Sequence, residues 1–131
     1  MSTFVKQAGM AVDHLDWGDI GWRARPENTG CKTFVVMDVS LEPGFGHNFH
    51  KHPDQDEMII VKAGQIEQWI GEEHTILGVG DSVYLDTGVV HASFNVGEET
   101  AHLQVILAPS VGDEGYQLVD VASEQPWASL R

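Results

Sequence analysis

Apolar and polar residues alternate along most of the chain with the two-residue period of β-strands. The alternating segments are short, and groups of glycine, proline or acidic residues separate them, as at residues 42–44 and 78–80. The central region has no segment with the 3.6-residue apolar period of a helix. The pattern predicts eight strands, at residues 32–39, 49–52, 57–63, 65–70, 74–77, 82–85, 91–96 and 101–107. Short, evenly spaced strands indicate an all-β fold, either a sandwich or a barrel, with jelly rolls among the candidates.

The two ends of the chain have a weaker pattern than its centre. Residues 1–30 form an N-terminal extension, in which Trp17, Trp22 and the Arg-Ala-Arg sequence at 23–25 indicate an edge strand packed outside the barrel. Residues 111–131 form a C-terminal tail with a candidate strand at 116–121. A chain of 131 residues is most simply one domain, so we expect a single unit over residues 1–131.

The charge of the chain argues against two classes of partner. The formal net charge is −13 and the sequence pI is about 4.6, and no basic stripe interrupts the acidic surplus. Nucleic acids and anionic membrane surfaces repel such a polyanion. The longest apolar runs are also far shorter than the roughly 20 residues of a membrane helix. We therefore expect a small-molecule ligand and neither a nucleic-acid nor a membrane partner.

Cysteine usage bears on the compartment. Cys31 is the single cysteine, so an intrachain disulfide is excluded. The first residues lack the basic-then-apolar pattern of a signal peptide. Both features fit a reducing compartment, and we expect a cytoplasmic location.

Three histidines and one glutamate are the candidate metal ligands. His50 and His52 are two residues apart, so on a strand their side chains share one face. Residues 53–56 have turn chemistry, and a turn there would bring Glu57 back beside them. His91 would have to arrive from a second segment. Three imidazoles and one carboxylate suit a divalent first-row metal, whether manganese, iron, cobalt, nickel, copper or zinc.

The two segments that carry these residues resemble the two motifs of the cupin superfamily. The fixed positions of both motifs are occupied by Gly44, His50, His52, Glu57, Gly64, Gly80, Gly88, His91 and Asn95. Asp86 stands where proline is usual, which removes a preset φ angle from one turn and leaves the ligands intact. The resemblance spans residues 44–95. It implies a cupin-type jelly-roll β-barrel with His50, His52, Glu57 and His91 as the ligands of the metal.

Four polar residues are candidates to lie behind those ligands. Ser93 and Asn95 share a strand face with His91. On the next strand His102 and Gln104 alternate with wholly apolar neighbours. This polar face either lines the interior near the metal or meets solvent. We favour the interior for Gln104 and solvent for His102.

His47 and a group of apolar residues complete the candidate site. His47 precedes His50 by three residues and is either an additional ligand or gate, or a loop residue at the mouth of the barrel. Phe45, Phe49 and Met58 are candidates to line an apolar pocket that excludes water.

Two classes of function fit the predicted site. The first is a metal-dependent enzyme that acts on a small oxygen-rich molecule, either a dioxygenase-like oxidoreductase, which we favour, or an isomerase. In that case Glu57 is the catalytic candidate, because it could accept a proton from a substrate hydroxyl. The second class is a non-catalytic protein that binds or senses a small molecule. One scaffold serves many functions, so the predicted fold is compatible with this class as well. A residue that relays protons beside the metal would favour catalysis, and a dry apolar surround would favour binding.

We also expect a homodimer. Phe4, Trp17 and Trp22 place more apolar surface in the N-terminal region than a lone small barrel would bury.

Overall fold

Two antiparallel sheets make up most of the computed structural model, which describes residues 2–131. The strands are β1 (Val12–Leu15), β2 (Gly18–Ala24), β3 (Val35–Leu41), β4 (Gly46–Lys51), β5 (Asp56–Ala63), β6 (Ile66–Ile70), β7 (Glu73–Leu77), β8 (Ser82–Leu85), β9 (His91–Asn95), β10 (Ala101–Ala108) and β11 (Val119–Asp120). One helical turn, α1 (Pro26–Thr29), and two short 3₁₀ segments, Gln7–Gly9 and Trp127–Ser129, complete the elements. The six-stranded sheet has the order β1-β2-β3-β10-β5-β8, and the five-stranded sheet has the order β11-β4-β9-β6-β7. This is a jelly-roll β-barrel, as the spacing of the strands and the resemblance predict.

The main core lies between the two sheets. Every second residue of β3 is buried, from Val35 to Leu41, and β10 repeats the pattern with Leu103, Val105 and Leu107. Because β3 and β10 are antiparallel neighbours in the middle of the six-stranded sheet, their buried residues form one continuous apolar wall. This wall faces the strands that carry the histidines.

The N-terminal region is part of the barrel, which corrects the prediction of a strand packed outside it. β2 pairs with β3 over most of its length and β1 covers its other side. Trp22 is only 1% exposed and belongs to the main core, and its indole N–H donates to Asp13. The edge strand is β1, and β2 is an interior strand of the sheet.

The C-terminal tail covers the outer face of the five-stranded sheet. β11 pairs with β4, and the 3₁₀ segment Trp127–Ser129 follows it. Trp127 and Leu130 pack against a second apolar cluster that includes Phe49 and Trp69. β9 is consequently buried on both faces along its whole length.

The turn between β5 and β6 requires a glycine. Gly64 has φ +74°, and a Cβ atom at this position would lie 2.9 Å from the Cα atom of Ala101. Both the backbone conformation and the close approach exclude a side chain there. Of the helices in residues 2–131, none has both the length and the apolar character that crossing a bilayer requires.

Candidate metal centre

Strand pairing brings the three histidines together. β4 and β9 are antiparallel neighbours, and His50 lies directly opposite His91. His52 follows β4 and turns its side chain into the same space. One nitrogen from each of these buried rings lies within 4.8 Å of the others. Three imidazoles from two adjacent strand regions therefore converge on one point inside the barrel.

Glu57 reaches this point from the other sheet. The chain turns after His52, where the amide of Gln55 donates to the carbonyl of His52, and then enters β5 in the six-stranded sheet. Glu57 Oε1 lies 3.1 Å from His52 Nε2 and 2.9 Å from His91 Nε2. The carboxylate is 6% exposed and is the single formal charge among these four side chains.

Backbone carbonyls fix the orientation of all three imidazoles. The Nδ1 atoms of His50, His52 and His91 lie 2.7, 2.7 and 3.1 Å from the carbonyl oxygens of Asn48, Gln117 and Val89, respectively. A carbonyl can only accept, so each Nδ1 carries the hydrogen. In the neutral rings every Nε2 therefore keeps its lone pair free, as a metal ligand requires.

The contact between Glu57 and His91 is favourable only with a proton or a metal ion between the two atoms. Oε1 and Nε2 are 2.9 Å apart, yet neither atom has a partner in hydrogen-bonding geometry within residues 2–131. With Nδ1 protonated, two lone pairs would face each other in a buried space. A proton or a metal ion relieves this repulsion, and a set of three nitrogens and one oxygen suits a divalent first-row metal. The residues present therefore fit the metal that the two motifs imply.

The pKa shifts of Glu57 and His91 describe the metal-free state, in which a proton lies between the two side chains. Burial is the largest single effect on the pKa of His91 and lowers it, but the charge and close contact of Glu57, together with the hydrogen bond to the Val89 carbonyl, outweigh burial and raise the pKa. Burial alone would raise the pKa of Glu57, but the neighbouring imidazoles of His91 and His52 bring it below its usual range.

His47 belongs to a stack of three rings at the edge of the site. Its ring lies 3.6 Å from that of His50 on one side and 4.0 Å from that of Trp17 on the other, nearly parallel to both. Burial lowers the pKa of His47 to about 3, so the ring is neutral at ordinary pH. Burial also brings the pKa of His50 well below its usual value, and the nearby His47 adds to the effect. Of the two alternatives, the loop position does not hold, because His47 lies in β4.

The four polar candidates are divided between interior and exterior. Ser93 lines the cavity beside the histidines, and its hydroxyl donates to Gln68 Oε1 at 2.6 Å. Asn95 is buried away from the cavity and donates to the carbonyl oxygens of Leu41 and Glu99.

Gln104 and His102 lie on the outer face of β10. Their neighbours Leu103 and Val105 face the cavity, while His102 is exposed beside Ser40. The expectation that Gln104 lies near the metal was therefore wrong, because the apolar face of this strand points inward. The expectation that His102 meets solvent agrees with the structure.

The cavity around the histidines has a volume of about 40 Å³. Its apolar lining is Ile20, Met37, Val39, Leu41, Ile59, Leu103 and Val105. The prediction that Phe45, Phe49 and Met58 line it was wrong. Phe49 packs under the C-terminal tail on the far side of its sheet, and Phe45 is exposed. The lining comes instead from β2, β3, β5 and β10, whose alternation places apolar residues inside.

Asp86 supports the turn in which proline is usual. Its side-chain oxygen accepts from the amide of Thr87 at 2.9 Å, and its carbonyl accepts from the amide of Val89. Gly88, with φ +77°, then donates to the carbonyl of His52. A side-chain hydrogen bond thus replaces the ring constraint, and the turn stays connected to the ligand segment.

Gln55 and Gln117 are site residues that sequence reasoning missed. Gln55 is 2% exposed and binds the segment that presents the Gln117 carbonyl to His52. Residues 53–56 predict a turn, but nothing in their sequence indicates that the glutamine side chain points inward. Gln117 contributes only its backbone, which leaves no signal in a sequence.

Comparison with known proteins agrees with the fold. A family described as the cupin domain matches residues 37–107, more than half of the chain. Germin-like protein 3-8 of Oryza sativa subsp. japonica is 32% identical over 139 residues, which cover 94% of this chain. The chain spans about 61% of the length of that relative.

Solved structures share the fold at low sequence identity. A Klebsiella pneumoniae protein with a double-stranded β-helix domain gives a TM-score of 0.71 at 22% identity, over 92% of this chain and 99% of that one. Lactobacillus farciminis oxalate decarboxylase, in a formate complex, gives a TM-score of 0.77 at 14% identity, over 88% and 35% of the respective chains. At these identities the likeness concerns the fold alone.

Proposed function

The chain belongs to the cupin family, and we propose that it is a metal-dependent enzyme that acts on a small, oxygen-rich molecule. The observation that carries the proposal is the convergence of three oriented Nε2 atoms and Glu57 Oε1 inside an apolar cavity. A divalent metal bound there would act as a Lewis acid with coordination positions left for a substrate. His50, His52, Glu57 and His91 would hold it.

We favour oxidation by dioxygen, with both oxygen atoms entering the product, over isomerisation. An isomerase moves protons and needs a positioned acid or base besides the ligands. Among the described residues of the cavity, Ser93, Tyr116 and the stacked His47 are the remaining groups able to exchange a proton. An apolar enclosure with open coordination suits the dioxygen reaction better, and it excludes competing water.

The same enclosure favours a second candidate, a protein that binds or senses a small molecule without converting it. Neither Gln104 nor His102 lies beside the ligands, so the proton relay that would mark an enzyme is missing from β10. The apolar wall agrees with binding as well as with oxidation.

Metal analysis and oxygen uptake separate these functions. Untagged protein should contain about one divalent metal ion per chain, and alanine at His50, His52 or His91 should remove it. Oxygen uptake is then followed with a panel of diols, enols and keto acids. Consumption of one class supports the enzyme. Tight binding of several compounds without consumption of any, with or without oxygen, supports the binding protein.

Glu57→Gln tests whether the carboxylate does more than bind metal. If Glu57 acts as a base, the variant with the neutral amide should turn over roughly 10²–10⁴-fold more slowly per bound metal than the parent. Its lowered pKa opposes that role, because a weakly basic carboxylate accepts protons poorly. Equal turnover per bound metal in the variant and the parent would leave Glu57 as a ligand only.

A further inference from the structure

The cavity lining contains one formal charge, the carboxylate of Glu57. No lysine or arginine of residues 2–131 lines the cavity, and seven of its side chains are aliphatic or methionine. A buried ionised group is stable only when it is paired or coordinates a metal. A ligand that enters this cavity must therefore have its charge balanced by the metal centre itself.

The two arginines at the end of β2 and just after it have partners outside the cavity. Arg25 lies over the ring of Trp22 at 3.8 Å and pairs with Glu27 at 2.9 Å. Arg23 pairs with Asp38 at 2.7 Å. Neither residue lines the cavity, so neither supplies a second positive charge to a bound molecule.

Aromatic rings lie between the cavity and an outer groove. Trp17, His47 and Tyr116 line both the inner cavity and an outer groove of about 330 Å³. The outer groove adds Asp120 and again no cation among the described residues. The described groove residues therefore supply no positive side chain to offset excess negative charge on a molecule held inside.

Charge counting then limits the class of ligand. On the proposed function, a divalent metal with the single negative charge of Glu57 leaves the centre with one net positive charge. We propose that the site selects singly charged chelators that bind through two oxygens, such as enolates and the monoanions of hydroxy or keto acids. A dianion such as oxalate would leave one uncompensated negative charge in an apolar enclosure, which is strongly unfavourable at low dielectric.

Oxalate and oxamate make a matched pair for the test. They have the same number of heavy atoms and chelate through two oxygens, but at pH 7 oxalate carries two negative charges and oxamate carries one. Titration calorimetry on metal-loaded protein gives both dissociation constants. The same titrations on the free metal ion give the intrinsic preference of the metal.

We expect the protein to shift the ratio of the two affinities toward oxamate by at least 10-fold relative to the free ion. An unchanged ratio, a shift toward oxalate, or failure of oxamate to bind would overturn the proposal. Metal analysis of the same samples keeps the two failures apart. Protein without metal contradicts the proposed function, whereas loaded protein with the wrong selectivity contradicts only this inference.

A charge added to the wall provides an independent check. Met37 lines the cavity on the side of the six-stranded sheet. Met37→Lys should move the affinity ratio back toward oxalate by at least 10-fold relative to Met37→Gln, a neutral polar control of similar length. Equal ratios in the two folded variants would overturn the proposal. If either variant fails to fold, the proposal is still decided by the affinity ratio of the parent protein relative to that of the free metal ion.

Discussion

A single glutamine outside the ligand set holds one of the ligands in position. Gln55 Nε2 donates to the carbonyl oxygens of Pro109 and Gly115, and Gln55 Oε1 accepts from the amide of Gln117 at 3.2 Å. The carbonyl of Gln117 in turn accepts from His52 Nδ1 at 2.7 Å. Both N–H donors and the oxygen of the Gln55 side chain are therefore engaged, and the orientation of His52 depends on these contacts.

Gln55→Ala should weaken metal binding by about 10–100-fold, because groups that orient a ligand have effects of this size. Competition with a chromophoric chelator measures the affinity. Gln68→Ala is the matched control, since Gln68 is also 2% exposed but bonds to Ser93 and to the backbone of Trp69. Equal metal affinity in the two variants would show that Gln55 has only a general structural role.

The predictions for single residues succeeded where they depended on the interval between residues along the chain. They failed where they depended on which face of a strand points into the barrel. The two-residue interval between His50 and His52 is enough to place both rings on one side of the chain. Alternation on β10 correctly separated Gln104 from Leu103 and Val105, but it cannot say which face points inward. Which face of β10 points inward depends on what lies across the cavity. The histidines supply the polar side of the cavity, and the apolar face of β10 forms part of its other side.

Among the elements, the hairpin of β1 and β2 differs most from its prediction. Trp22 packs in the main core under Arg25 and 5.5 Å from the ring of Tyr116. The sequence of residues 1–30 has no clear period, so an outer strand and an inner one look alike. The eight central strands, by contrast, alternate strongly, and each has a counterpart in the structure.

Trp22→Ala should lower the free energy of unfolding by about 3–5 kcal/mol, the usual effect of removing a buried large aromatic side chain. Urea denaturation of metal-free protein measures the loss. Phe4→Ala is the control, because Phe4 is 85% exposed and should change stability by less than about 0.5 kcal/mol. A loss below about 1 kcal/mol for Trp22→Ala would mean that the hairpin is dispensable.

At the scale of the whole molecule, we propose a homodimer formed along β1. Trp22 no longer supports this association because the chain buries it internally, but Phe4, Val12 and Leu15 remain exposed and β1 has a free edge. Light scattering should give twice the 14.4 kDa chain mass at micromolar concentration. Val12→Lys should reduce the mass to that of one chain, whereas Ile76→Lys on β7, another edge strand, should not. A parent protein that is monomeric would contradict the proposal.

Acid should destabilise the metal-free protein through its buried neutral histidines. The pKa values of His47 and His50 are lowered in the folded state, to about 3 for His47, whereas both rings titrate near 6.5 when unfolded. Below pH 6.5 the unfolded chain therefore binds more protons, and stability present above that pH is lost as the pH falls. Each ring contributes a slope of about 1.4 kcal/mol per pH unit. The pKa of His91 is raised in the folded state, so the stability that His91 contributes is already fully present below pH 6.5. His91 therefore leaves the slope below that pH unchanged.

His47→Phe isolates one of the two contributions. Phenylalanine can keep the stack between Trp17 and His50 but cannot take up a proton. Urea denaturation of chelator-treated protein at pH 6.5, 5.5 and 4.5 should show the slope reduced by about 1.4 kcal/mol per pH unit relative to the parent. His14→Phe is the control, because His14 is exposed and is not one of the stacked rings. If the parent and His47→Phe lose stability equally between pH 6.5 and 4.5, His47 is not held neutral by burial, and the acid sensitivity arises elsewhere in the molecule.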